Sequence, residues 1–165
     1  MLIATVILLV GLIGIAQLVP ASILINQKGR LDSTSLVFAQ RELDQMLSQP
    51  LTAASFFEAN GALCASACSL GDPAPAQSGK AVGSSLIFIY NRPLIDFSQP
   101  PVDDYSFSYT DPNDPFGVTY DVRWAVVTSL SASNAIVSKR FIVGVRQLGG
   151  SGFVPAVTLD AMAGR

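Results

Sequence analysis

The chain has 165 residues, of which 50% are hydrophobic and 13% charged; ordinary soluble domains carry about 25% charged residues, and disorder needs the opposite composition. Its net charge of −2 lacks the basic footprint of a nucleic-acid binder. It contains no histidine and only two cysteines, which excludes Ser-His-Asp and Cys-His catalysis and a four-ligand zinc site of sulfur and imidazole.

Residues 1–27 carry no charged side chain, and the first charge is Lys28. About 20 apolar residues suffice to cross a bilayer as a helix, so this run is read as a membrane-spanning or similarly buried helix. A cleaved secretory signal needs a basic segment before its apolar stretch, and none precedes this one. From Asp32 to Gln49 there is neither Pro nor Gly, and Leu36, Leu43 and Leu47 recur at helical spacing beside Ala39 and Met46. Arg41, Glu42 and Asp44 are placed off that stripe. Asp32, Ser33 and Thr34 are cap residues and Pro50 is a stop. The two segments together predict one long helix, with a kink at Pro20.

Residues 51–85, rich in Ala, Ser, Gly and Pro, read as a connector. Strand signals follow. Leu86–Tyr90 is a β-favouring run, and Tyr105, Phe107 and Tyr109 alternate with small polar residues. Val118 to Leu130 and Ile136 to Leu148 predict a long hairpin, with Tyr120, Val122, Trp124 and Val126 on one face and Phe141, Val143 and Val145 beside them. Phe153 to Leu159 predicts a last short strand. The organisation expected is therefore an apolar helix (1–27), an amphipathic half (28–50), a connector (51–85) and an antiparallel β head (86–165). The fold class is α+β: a long N-terminal α-helix packed on a C-terminal antiparallel β-meander.

This order of elements, and the opening Met1-Leu-Ile-Ala-Thr-Val-Ile-Leu-Leu-Val-Gly-Leu-Ile-Gly14, resembles the type IV pilin and pseudopilin superfamily, especially PilV-like minor pilins and I-type pseudopilins. Tyr120–Trp124 and Lys139–Arg146 are similar to paired strands of such heads. The resemblance implies a structural subunit of an extracellular filament, resident in the inner membrane as a precursor and assembled by pilus machinery as a homo-oligomer or with other pilins. Ile3, Ile7, Leu8, Gly11, Leu12, Gly14, Ile15 and Leu18 would form the packing surface, and Pro20 the segment that melts on assembly. The family's mature chain opens with a methylated aromatic and has Glu at its fifth position, after a basic leader ending in Gly. The apolar register places that Glu just before Met1, so those features are expected upstream, and Thr5 does not take the Glu's role. The rival reading is a single-pass anchored β domain that binds a partner without polymerising.

In an exported domain Cys64 and Cys68 are read as a disulfide, with free thiols as the alternative. Some pseudopilin heads bind calcium, and Asp103, Asp104, Asp111, Asn113, Asp114 and Asp121 offer oxygen ligands; their spacing matches no calcium loop, and Asp-Pro and Asn-Asp pairs are ordinary turn chemistry. No cofactor is predicted. Catalysis by a Ser/Lys pair has only Lys28, Lys80 and Lys139 to draw on, none beside a nucleophile motif, so no enzyme is predicted. Tyr105, Phe107, Tyr109 and Tyr120 sit at strand spacing and read as core or cross-strand aromatics rather than a base-stacking platform, and no nucleic-acid partner is predicted.

Overall fold

The computed structural model describes residues 33–58, 64–110, 117–148 and 156–164. Helix α1 covers 33–47. Ser35, Phe38, Ala39, Glu42, Leu43 and Met46 are its buried residues, spaced three or four apart so that they share one face. The helix closes where Ser48 and Gln49 donate their amides to the carbonyls of Asp44 and Met46, just before Pro50.

Two strands of two residues come next, β1 (Ser55–Phe56) and β2 (Cys68–Ser69), paired antiparallel. The main sheet is built from β3 (Ala81–Gly83), β6 (Ser106–Thr110), β7 (Thr119–Leu130), β8 (Ile136–Leu148) and β9 (Val157–Gly164). All its pairings are antiparallel. Strands β3 and β6 share one edge of β7, the first against 125–127 and the second against 119–123. A separate hairpin, β4 (Leu86–Ile89) and β5 (Arg92–Ile95), turns through Tyr90 and Asn91 at φ of 50° and 60°. Positive φ at both central residues is the two-residue turn whose twist matches the flanking strands.

Both faces of the sheet are covered, which explains its run of buried residues where simple alternation predicts one wet face. On one face Tyr120, Val122, Trp124, Val126, Phe141, Val143 and Val145 meet Phe38, Ala39, Leu43 and Met46 of α1. The Phe38 ring lies 5.0 Å from that of Tyr109 and 4.9 Å from that of Tyr120. Trp124 is the centre of this layer: it is fully buried, donates from Nε1 to the Ser69 carbonyl at 2.8 Å, and is ringed by Phe56, Tyr105 and Phe107. On the opposite face the β4–β5 hairpin lies over Ala125 and Ile142 through Ile95, Leu86 and Phe97. This approach needs Gly144, where an added Cβ would stand 2.7 Å from Ile95.

These findings correct the expected fold class. The described chain is mainly β, its one α-helix is the 15-residue α1, and no described helix is long and apolar enough to cross a membrane. Among the described residues the helical part of the expected α+β fold is α1 alone, and strands outweigh it. The apolar run 1–27 lies outside the described residues. The stretch 51–85, expected as connector, supplies β1, β2 and β3, and β3 belongs to the main sheet.

Candidate functional site

The concentration of charge inside the head lies on the hairpin-covered face, at the end nearest β6. Period-two geometry places Asp121 and Arg123 of β7 on this face, opposite the apolar series at 120, 122 and 124. The register then sets Asp121 against Arg146 of β8 and against Ser108 of β6. Asp121 and Arg123 are both buried, at 6% and 5% exposure. Arg123 donates from Nε at 3.0 Å to Oδ1 and from a terminal nitrogen at 2.8 Å to Oδ2 of Asp121. Arg146 donates to the same Oδ2 at 2.9 Å. Both guanidiniums stack on the Phe97 ring, at 5.1 and 4.8 Å from its centroid, and both donate to backbone carbonyls of its loop, those of Gln99 and Phe97. A shallow cleft of about 280 Å³ opens here between Pro101, Ser106, Ser108, Arg146 and Leu148.

The cleft's charges are spent on the fold. One carboxylate receives two cations, Asp96 on the same loop also faces Arg123, and the remaining bonds tie the 97–99 loop to the sheet. Asp96 itself is held below its ordinary range by hydrogen bonds from Ser98. Period two sets Arg146 on the face opposite Phe141, Val143 and Val145. Alternation alone does not show this face to be buried, because the β4–β5 hairpin that covers it is distant in sequence.

A second polar node fixes the disulfide loop. Cys64 and Cys68 are joined, with 5.2 Å between their Cα atoms. The backbone amides of Ser66 and Ala67 and the Ser66 hydroxyl all donate to the Asp104 carboxylate, at 2.7, 3.1 and 2.7 Å. These bonds hold the Asp104 carboxyl below the usual carboxylate range, the Ser66 hydroxyl contributing most. Asp104 sits at φ 64° to do this. Of the calcium candidates, Asp104 is therefore committed to the disulfide loop and Asp121 to two arginines, while Asp111, Asn113 and Asp114 lie outside the described residues. Among the described residues no group of three or more metal-ligating side chains is assembled.

Two buried ionisable residues escaped the sequence reading. Lys139, read only as a lysine without a nucleophile motif beside it, is 2% exposed. Its Nζ donates at 2.6 Å to the carbonyl of Ala53, and burial pushes its ammonium below the ordinary lysine range. That bond goes to backbone rather than to a serine hydroxyl, so the lysine pins the 53–54 turn to β8. Glu42, read as lying off the apolar stripe, is wholly buried in the middle of the docked face of α1. Burial first, and then a hydrogen bond and repulsion from Glu58, push its carboxyl up to about 9.

The predicted packing residues Ile3, Ile7, Leu8, Gly11, Leu12, Gly14, Ile15 and Leu18, the kink residue Pro20 and Lys28 all lie outside the described residues. Lys80 is exposed in the loop before β3. Tyr105, Phe107, Tyr109 and Tyr120 are packed against the core as cross-strand and helix-facing aromatics. Comparisons of the chain with known protein families, with characterised proteins and with solved structures found no match.

Proposed function

We propose that this protein is a structural subunit of a type IV pilus-like extracellular filament. It assembles through the apolar segment 1–27, with copies of itself or with other pilins, and exposes the β head. The observation that carries this reading is the joint at residues 28–50: a run without a single charge leads into a helix whose buried face is part of the head's core. An apolar tether fixed to a compact head suits work that is mechanical. The tether avoids water either in a bilayer or against apolar segments of neighbouring subunits, so transfer from the inner membrane to a filament leaves a similar apolar area hidden. Gly11 and Gly14 permit close approach of such segments. Calcium and other cofactors have no part in this reading, and neither does nucleic acid or catalysis.

The experiment is Leu8→Asp in cells that make the filament. An unpaired charge buried between apolar segments costs several kcal/mol, so filaments are expected to fall below detection while the protein still accumulates in the membrane fraction. Normal filament yield from Leu8→Asp overturns the proposal. A wild-type protein that never leaves the membrane fraction favours an anchored, partner-binding domain instead.

A further inference from the structure

The disulfide joins cysteines only four apart in sequence. So short a loop removes little entropy from the unfolded chain, and its preference for the oxidised state therefore depends on what the fold does to residues 64–68. There the fold acts through one distant residue. Asp104, 38 residues beyond Ser66, binds the loop four times. Its carboxylate accepts from the Ser66 amide and hydroxyl, each at 2.7 Å, and from the Ala67 amide at 3.1 Å. Its own carbonyl accepts from the Ser69 amide at 2.8 Å. The amides of Ser66 and Ala67 converge on a single oxygen, Oδ1, from inside the ring that the disulfide closes. That convergence needs the bend at 65–66, the same bend that brings the two Cα atoms to 5.2 Å. Past the ring, Cys68 is buried in the Trp124 layer. Ser69 then gives its carbonyl to Trp124 Nε1 at 2.8 Å and its hydroxyl to the Tyr105 hydroxyl at 2.9 Å.

We propose that Asp104 is the positioning residue for the Cys64–Cys68 disulfide, and that disulfide, clamp and Trp124 form one redox-responsive strap. The closed ring presents the 66 and 67 amides together, so the oxidised loop meets Asp104 already arranged. The clamp in turn holds the two sulfurs of the reduced loop near each other. Such coupling is reciprocal: by the factor that the disulfide strengthens the clamp, the clamp protects the disulfide. A dithiol reductant would break the sulfur–sulfur bond in two exchange steps. Cys64 and Cys68 would each gain a proton and an electron, and the reductant would close into its own disulfide. The loop would then loosen against Asp104, and the loosening would pass through Cys68 and Ser69 to the Trp124 hydrogen bond. This coupling belongs to the head alone and holds whether or not the chain assembles into filaments.

The test equilibrates the full chain in detergent with mixtures of reduced and oxidised dithiothreitol, traps free thiols by alkylation and counts them by mass. Asp104→Asn suits it, because asparagine tolerates the φ of 64° and removes only the charge. Its disulfide is expected to be reduced on the order of tenfold more readily than that of the wild type. Asp96→Asn makes the same change at a carboxylate that binds Ser98 instead, and is expected to leave the equilibrium unmoved. Equal equilibria in wild type and Asp104→Asn, or equal shifts in Asp104→Asn and Asp96→Asn, overturn the assignment. Should Asp104→Asn fail to fold, Ser66→Ala decides: it removes one donor to the clamp, and easier reduction supports the coupling while an unchanged equilibrium contradicts it. Trp124 is the one tryptophan of the chain, so its emission reads the far end of the strap. A shift on full reduction of the wild type is expected, and unchanged emission overturns the link to Trp124.

Discussion

Asp121→Ala is expected to destabilise the head by about 3–5 kcal/mol, the usual result of stripping the partner from a buried charge. Arg123 is 5% exposed and directs its Nε and one terminal nitrogen at Asp121, so after the change its buried charge loses its bidentate carboxylate and is left with the Gln99 carbonyl and the through-space attraction of Asp96. Arg146, with one-third of its side chain exposed, can turn to water and contributes less. The Phe97 loop loosens in consequence, since both guanidiniums that stack on it and bond to its carbonyls are oriented by the same carboxylate. The midpoint of urea unfolding at unchanged slope measures the loss. Replacing Asp121 and Arg123 together by apolar residues of similar volume is expected to recover most of it, because the penalty belongs to the orphaned charge rather than to the missing attraction. A loss below about 1 kcal/mol for Asp121→Ala contradicts this account of the hairpin-covered face, since that is the value of an exposed ion pair.

Trp124→Ala is expected to cost about 3–5 kcal/mol, by removing the largest side chain of the opposite layer from a fully buried site. Phe56, Tyr105 and Phe107 all lose their shared neighbour, with present centroid separations of 5.8, 6.1 and 5.9 Å. Trp124→Phe separates packing from hydrogen bonding. It keeps an aromatic ring but leaves the Ser69 carbonyl without the Nε1 donor, for an expected loss of about 1–3 kcal/mol. The same unfolding measurement ranks the two. If Trp124→Phe is as damaging as Trp124→Ala, the hydrogen bond to the β2 strand, rather than ring packing, holds this layer.

What was legible in the sequence was what period two writes plainly. The long hairpin of β7 and β8, and the face bearing Tyr120, Val122, Trp124 and Val126, were readable because bulky apolar residues alternate there over many positions. The β4 run and the Tyr105–Tyr109 alternation were readable for the same reason. Strand β3 was not, since Ala81-Val82-Gly83 is too short and too weak in propensity to stand out from a small-residue stretch, and only the edge of β7 makes it a strand. The last strand runs over 157–164, later than the apolar cluster at 153–159 suggests, because pairing with β8 and not composition sets its register.

The buried charges were misread for a different reason. Periodicity sorts residues by polarity, so it placed Glu42 off the apolar stripe, and nothing in the local pattern marked Asp121 or Lys139 as buried. Each is buried by packing that no local window contains: Glu42 on the docked face of α1, Asp121 beneath the 97–99 loop and the hairpin before it, and Lys139 against the Ala53 carbonyl 86 residues away. The expected fold class failed because a stretch of small residues hid β1, β2 and β3, which add to the β content. Of the candidate site, the cysteine pair was legible from spacing in an exported setting, whereas the Asp104 clamp that seats its loop, 37 and 38 residues distant, was not.

The proposal of a filament subunit is tested most directly by mass spectrometry of filaments sheared from the cell surface, on intact protein and on the N-terminal peptide. The account predicts this chain in the sheared filaments, with peptides from both the 1–27 segment and the β head recovered there. Its abundance relative to other subunits then separates a main building block from a minor one. Absence from sheared filaments, with the chain retained in the membrane fraction, contradicts the account and leaves residues 1–27 as an anchor.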